Sequence, residues 1–503
     1  MQQTSEKSSC TKRANARVLP WNALILLVTL LSGCANFREN KIFSHINEAN
    51  TLPVTQSLAK AQHGAWPEQM WWKRLGDQQL DTLMEEALND NPTMRIAEAR
   101  IRRAISIAGL ADSVQYPQVS IGASSVFQRF SEHSTAPPSL AGESKSVSRL
   151  ALDMRYDLDL WGKNKAKYES ALGAVRVAEI EVLTAKNALT ATIAKTYIQL
   201  SHNFEQLNIA TAILRQREKI ADLKEKRVHA GIDSGVELEL SRGLIASAKA
   251  DIHAAEEQIA LLRNQLAALV GGGPDRGASI VAPTLLAQKE LKLPTELPAE
   301  LIGRRPDVVA QRWRIEMMSK EITAAKAEFY PNVNLTAFAG FDSIGIENIL
   351  RGGSGVLGVG PTVSLPIFNG GRLRNNLAFQ NAEYDESVER YNSIIVEAIR
   401  DVADQVVSWK GTEAQRNEQH VALARFEEAN RLATIRYGGG VTNYLTVLTA
   451  EGEVLRERRR DVALKARQFE ITVALTKALG GGYDPESTGV SGRNLEKIEK
   501  RGE

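Results

Sequence analysis

The chain has 503 residues, 62 basic and 60 acidic, with a formal net charge of +2, 6% aromatic residues and two cysteines. Charge this closely balanced gives no sign of a nucleic-acid surface. Two cysteines, Cys10 and Cys34, leave neither a disulfide framework nor a cysteine metal site, and low aromatic content with plentiful alanine points to an elongated body.

The first element is a targeting segment. Lys7, Lys12, Arg13 and Arg17 precede an apolar run from Ala23 to Leu31, which is too short to span a bilayer, and Leu31-Ser32-Gly33-Cys34 follows. That series resembles the bacterial lipoprotein processing site, so 1–33 is expected to be a cleaved signal peptide and Cys34 the acylated N-terminus. Loss of 1–33 removes Lys7, Lys12, Arg13, Arg17 and Glu6 and leaves 58 basic against 59 acidic residues. Ala35 after the cysteine resembles sorting to the outer membrane. Beyond the signal no apolar stretch is long enough for a membrane helix, so any crossing has to be a closed β-barrel.

Residues 34–90 read as an N-terminal periplasmic segment. Asn91-Pro92 then reads as a helix N-cap with proline at the first helical position, opening a helix to about Val114 that ends before Tyr116-Pro117. A β-hairpin over 118–160 follows. Val119, Ile121, Ala123, Ser125 and Phe127 form a weak apolar row, and Leu150, Leu152, Met154, Tyr156, Leu158 and Leu160 alternate strictly with Ala151, Asp153, Arg155, Asp157 and Asp159. From Lys163 to about Val228 nothing breaks a helix. Leu172, Val175, Ala178, Val182, Ala185, Leu189, Ile193, Tyr197, Leu200, Phe204 and Leu207 recur every 3.5 residues on average, the period of a coiled-coil seam. A glycine turn at Ala230 to Gly235 and another helix close this first repeat, 91–273.

After a linker, 274–304, the plan returns over 305–480. Arg305-Pro306-Asp307 opens a helix ending before Tyr330-Pro331. A hairpin over 332–368 carries the rows Val333, Leu335, Ala337, Ala339, Phe341 and Leu357, Val359, Pro361, Val363, Leu365, Ile367. A helix from Arg372 to about Tyr437 has the seam Tyr384, Val388, Tyr391, Ile395, Ala398, Val402 and Trp409, and Gly438 to Asn443 form its turn. Three matches bind the halves: Asp157 to Asn164 with Ser364 to Gly371, Arg227 to Ile232 with Arg436 to Val441, and Tyr116-Pro117 with Tyr330-Pro331, offset by 207, 209 and 214 residues. Offsets this close mean an internal duplication. Residues 481–503 read as a flexible tail.

The segments Trp71-Trp72 with Leu83 to Pro92, Arg304 to Val308, Phe329-Tyr330-Pro331, Leu365 to Gly371 and Tyr437 to Leu448 resemble the TolC-like outer-membrane efflux proteins, more narrowly their OprM-like lipoprotein branch. The resemblance covers nearly the whole mature chain. It implies a mixed α+β membrane protein: a homotrimer whose chains each give four strands to one 12-stranded β-barrel, continuous with a long α-helical coiled-coil barrel. It also implies a passive exit duct for drugs or other small toxic compounds, gated at the periplasmic end. The expected partners are a periplasmic adaptor, an inner-membrane efflux pump and outer-membrane lipid, with no cofactor and no nucleic acid. Asp153, Arg155, Asp157 and Asp159 are the expected lumen-facing residues. Gly231, Ile232, Asp233, Gly440, Val441 and Thr442 are the expected adaptor-contact tips. By the same resemblance Leu445 is expected at an apolar constriction, and Thr449 matches the position where many members of that family carry a gating aspartate. Asp233, Glu237 and Glu239 could supply that charge, although acidic residues at a helix start are ordinarily caps.

Other classes find less support. His45, His63, His133, His202, His229, His253 and His420 show no metal-ligand pairing, Gly352 to Gly355 has no phosphate-binding lysine in register, and no strand feeds a Gly-x-Ser-x-Gly turn, so no enzyme or metal site is expected. A periplasmic coiled coil without a pore, and a duct for secreted proteins, remain as rival readings.

Overall fold

The computed structural model describes residues 41–47, 62–133, 135, 137–232, 234–286, 292–293 and 303–484. The signal segment, Cys34, Asp233 and the tail beyond residue 484 lie outside them. The chain divides into two units, one built from 114–166 and 321–382 and the other from 43–113, 167–320 and 383–484.

The longer helices are α1 (Gln78–Asp90), α2 (Pro92–Ser113), α3 (Lys163–His229), α4 (Gly235–Leu269), α5 (Pro306–Ala327), α6 (Arg372–Gly438) and α7 (Tyr444–Ala478). Their lengths repeat in pairs: α2 and α5 have 22 residues, α3 and α6 have 67, and α4 and α7 have 35. At 1.5 Å per residue the two longest measure ~100 Å each. No described helix is long and apolar enough to cross a membrane.

The helical unit is held by the predicted seams. Val175, Ala178, Leu189, Ile193, Tyr197 and Leu200 of α3 are buried and the other five seam residues half-buried; on α6 all are buried except the half-buried Tyr384. A second buried row on α3, including Ile180, Ala194 and Ile198, escaped the seam because that helix is covered on more than one side. The largest cluster brings Trp71, Trp72, Leu80, Leu83 and Met84 against Ile193, Tyr197 and Leu200 of α3 and Phe469 and Val473 of α7. The predicted linker begins as a short helix, Pro274–Ala278, followed by the fully buried Ile280. Thr284 N donates to Asp77 Oδ2 at 2.7 Å and Leu286 N to the Leu75 carbonyl at 3.0 Å, so this stretch is packed structure.

The other unit is built around one antiparallel sheet, with the adjoining ends of α3, α5 and α6. Its strands are β1 (Gln118–Arg129), β2 (Ser144–Leu158), β3 (Asn332–Ile344) and β4 (Gly355–Ser364), in that spatial order. β2 stops at Leu158 and β4 at Ser364, so Leu160, Leu365 and Ile367 are not strand residues. Gly162 and the pair Gly370-Gly371, all at positive φ, turn the chain into α3 and α6 instead.

Candidate functional site

The sheet's two faces differ sharply in chemistry. Ladder register joins Ile121 to Leu152, Leu152 to Ala339 and Ala339 to Leu357, and joins Val119 to Met154, Met154 to Ala337 and Ala337 to Val359. Directly paired residues point to the same side, so all four apolar rows share one face. That face is bare: Ile121 is 71% exposed, Leu357 84% and Val359 74%.

The opposite face carries Arg149, Asp153, Arg155 and Asp157 with Ser120, Asn334 and Thr336 across the ladders. Arg149 Nη2 donates to Asp153 Oδ1 at 2.7 Å, and its guanidinium lies 5.6 Å from the Phe338 ring centre. Phe338 in turn fills the space above Gly358, where a Cβ would fall 2.6 Å from the ring. Asp157 pairs with Lys163 at 3.4 Å. Asp159 needs correcting: it lies past the strand, and its carboxylate accepts Lys165 N at 2.8 Å, which makes it a cap of α3 rather than a sheet-face residue. The two edge strands, β1 and β4, pair with nothing further among the described residues.

At the other ends of the long helices, the two turns match bond for bond. Gly231 N donates to Val228 O at 2.9 Å and Ile232 N to Arg227 O at 2.9 Å; Gly440 N donates to Tyr437 O at 3.0 Å and Val441 N to Arg436 O at 2.9 Å. Gly231 and Gly440 have φ of 69° and 72°, the left-handed conformation that ends each helix. Next comes a cap: Ser234 forms a capping box with Glu237, and Asn443 Oδ1 accepts Thr446 N at 3.1 Å. Glu237 is thereby committed to the helix start, and Glu239 pairs with Arg242 at 2.8 Å.

The turns present Ile232 and Val441 to solvent. Leu445 is half-buried and Thr449 exposed, the Thr449 hydroxyl donating to the Leu445 carbonyl at 2.9 Å; Thr442 Oγ1 meets Thr446 Oγ1 at 3.1 Å. Behind them the buried Gln216 of α3 donates to the Leu448 carbonyl, tying α7 down at this level. The duplication makes Val236 and Leu240 the counterparts of Leu445 and Thr449, since α4 and α7 start 209 residues apart. Val236, Leu240 and Leu244 form an exposed row along α4, legible as an i, i+4, i+8 spacing.

Hydrogen bonds order the helices: Arg217 of α3 to Leu244 O of α4 at 2.6 Å, Gln206 of α3 to Arg459 O of α7 at 3.3 Å, and Gln419 of α6 to Glu457 of α7 at 2.8 Å. Helices α4 and α6 stand at the ends of that series. Among the described residues no group of three His, Cys, Asp or Glu could hold a metal.

The model of the outer membrane efflux protein family matches residues 83–272 and again 297–481. The chain belongs to the outer membrane efflux protein family. Within it, the chain is 35% identical to the fusaric acid resistance protein FusA of Burkholderia cepacia over 364 residues, 72% of this chain and 69% of that one. It is 30% identical over 467 residues to the multidrug resistance outer membrane protein MdtP of Escherichia coli K12, covering 90% and 94% of the two chains. The crystal structure of the outer membrane protein VceC from Vibrio cholerae superposes with a TM-score of 0.77 at 35% identity, over 83% of this chain and all of that one. The family is one of outer-membrane efflux proteins and not of enzymes.

Proposed function

We propose that this outer-membrane efflux protein works as a lipid-anchored homotrimer, each chain giving its four strands to a 12-stranded barrel and its long helices to a helical barrel. The observation that carries this reading is the bare apolar face shared by β1 to β4, backed by a charged face and bounded by two open edges. In hydrocarbon an open edge leaves backbone groups without partners, so β4 of one copy has to meet β1 of the next. Four strands cannot close, and eight only enclose their own side chains; twelve, from three copies, leave a lumen.

The helices support the same assembly. The side chains of Val236, Leu240 and Leu244 near the start of α4 are exposed, while α6 exposes Leu432 and Ile435 near its end. Both rows lie beside the turns, so α4 of one copy can seal against α6 of the next.

In this reading Arg149, Asp153, Arg155 and Asp157 wet the pore, Leu445 narrows its periplasmic entrance, and Gly231, Ile232, Gly440, Val441 and Thr442 meet a periplasmic adaptor joined to an inner-membrane pump. Cys34 carries the lipid. The duct itself is passive and passes drug-like or organic-acid compounds of the kind named in the multidrug and fusaric acid resistance relatives. One experiment tests the assembly: cysteines placed on β1 and β4 in the full chain, oxidised in membranes, should give covalent trimers that conduct in planar bilayers. Monomers alone, or trimers without conductance, would end this reading.

A further inference from the structure

Residues 43–47, close behind Cys34, lie along α6 and are bonded to two of its side chains. Asp385 accepts two main-chain amides: Phe43 N at 3.1 Å on Oδ1 and 3.3 Å on Oδ2, and Ser44 N at 3.0 Å on Oδ1. One heptad on, Asn392 accepts Asn47 N at 2.9 Å on Oδ1 and donates from Nδ2 to His45 O at 3.0 Å, with a further 3.4 Å bond to Glu389 that orients its amide. Donating to residue 45 and accepting from residue 47 is the pair of bonds a neighbouring strand makes across a parallel ladder. Asn392, only 7% exposed, performs it with a side chain.

Each of the bonds that reach residues 43–47 is to backbone. Phe43 is 76% exposed and Ile46 49%, so neither apolar side chain is buried and the grip rests on the main-chain bonds. We infer that Asp385 and Asn392 form a clip that recognises extended main chain, and that its occupant is residues 43–47 of this chain. The clip sets the tether of the N-terminal anchor: the nine residues from Cys34 to Phe43 reach at most ~30 Å, so a lipid on Cys34 is held within that distance of Asp385. This last step rests on the lipid-anchored reading above; the clip does not.

The test is residue-resolved hydrogen exchange on the full chain as a detergent-solubilised trimer. The Phe43, Ser44 and Asn47 amides should exchange at least ~10-fold more slowly than an unprotected chain, as bonded amides do. Asp385→Ala should free Phe43 and Ser44 but not Asn47. Asn392→Ala should free Asn47 alone, and Asp385→Asn, which keeps an acceptor, should retain protection. Phe43→Ala and Ile46→Ala should change neither. Unprotected amides in the wild-type chain, or protection lost in Phe43→Ala and kept in Asp385→Ala, would overturn the clip. Mass spectrometry of the N-terminus separates the two claims: an unmodified Cys34 removes the tether and leaves the exchange pattern standing.

Discussion

Asn91 and Arg305 occupy the same place in the two copies and reach the same target with different chemistry. Asn91 Nδ2 donates to the Leu269 carbonyl at 2.7 Å, and Arg305 Nη1 donates to the Ala478 carbonyl at 3.4 Å. Each thereby ties the first helix of its repeat to the last carbonyls of that repeat's final helix. A glycine at positive φ makes room for the join: a Cβ on Gly271 would lie 2.7 Å from Asp90 O, and one on Gly480 1.9 Å from Arg304 O. The copies part company at the cap. Asn91 Oδ1 also accepts Thr93 N at 2.7 Å, whereas Arg305, which cannot accept, takes Asp307 through two nitrogens at 3.0 and 2.6 Å and adds Asp401 at 3.4 Å.

Asn91→Ala removes both a cap and a buried interhelix bond, together ~1–3 kcal/mol. Gly271→Ala forces a left-handed alanine against backbone and should cost at least as much. Thermal melts of the helical signal in detergent should show both well below wild type, with Asn91→Ser intermediate because serine caps but is too short for Leu269. Equal melting of Asn91→Ala and wild type would show that the join carries no load.

The sheet faces give a second prediction. Leu152→Arg puts a charge on the bare apolar face and should cost ~2–4 kcal/mol if that face meets hydrocarbon near mid-depth. Asp157→Asn, on the other face, only weakens a pair with Lys163. Outer-membrane fractions should therefore lose the Leu152→Arg trimer and keep Asp157→Asn. The reverse ranking would turn the sheet inside out.

Much of this was legible because period is written into side chains. The seams of α3 and α6 and the strand rows are patterns of 3.5 and 2, and the duplication repeats them, so helix ends at Lys163 and Arg372 could be read directly. What failed to show is what backbone decides. Leu160, Leu365 and Ile367 continue the alternation in sequence, but the ladder has already stopped at Leu158 and Ser364, and Ile367 ends 88% exposed. Asp159 matched the charged row and is spent instead on the first turn of α3. The clip on residues 43–47 has no side-chain signature on the strap at all, since Asp385 and Asn392 grip its main chain.

His202 supplies a pH dependence. Burial on α3 lowers its pKa from the ordinary 6.5, outweighing a bond to the Val462 carbonyl and the charge of Glu470. The unfolded chain therefore binds a proton at His202 where the folded chain does not, and this share of stability, complete above pH 6.5, is lost as pH falls toward the folded value. His202→Gln should flatten the fall in melting temperature between about pH 7 and 5. An unchanged slope in the variant would mean that His202 takes up its proton as readily in the fold as in the unfolded chain.

Leu445 is half-buried on the first turn of α7, Thr449 one turn on is exposed and bonded back to Leu445 O, and Glu237, committed to its cap, is poorly placed to offer a free charge. In the trimer proposed above, an entrance closed at Leu445 would rest on apolar contact between copies more than on an acidic ring. Leu445→Ala should thus raise resting conductance and sensitise cells to large antibiotics, while Thr449→Val, which keeps the shape and loses the hydroxyl, should do neither. Gln216→Leu probes the same point from behind: with the Leu448 carbonyl no longer held by α3, the tip of α7 loosens and the channel should leak with Leu445 intact. Conductance and uptake that stay at wild-type levels in both Leu445→Ala and Gln216→Leu would move the constriction away from α7, and the exposed Val236 and Leu240 of α4 would be the residues to substitute next.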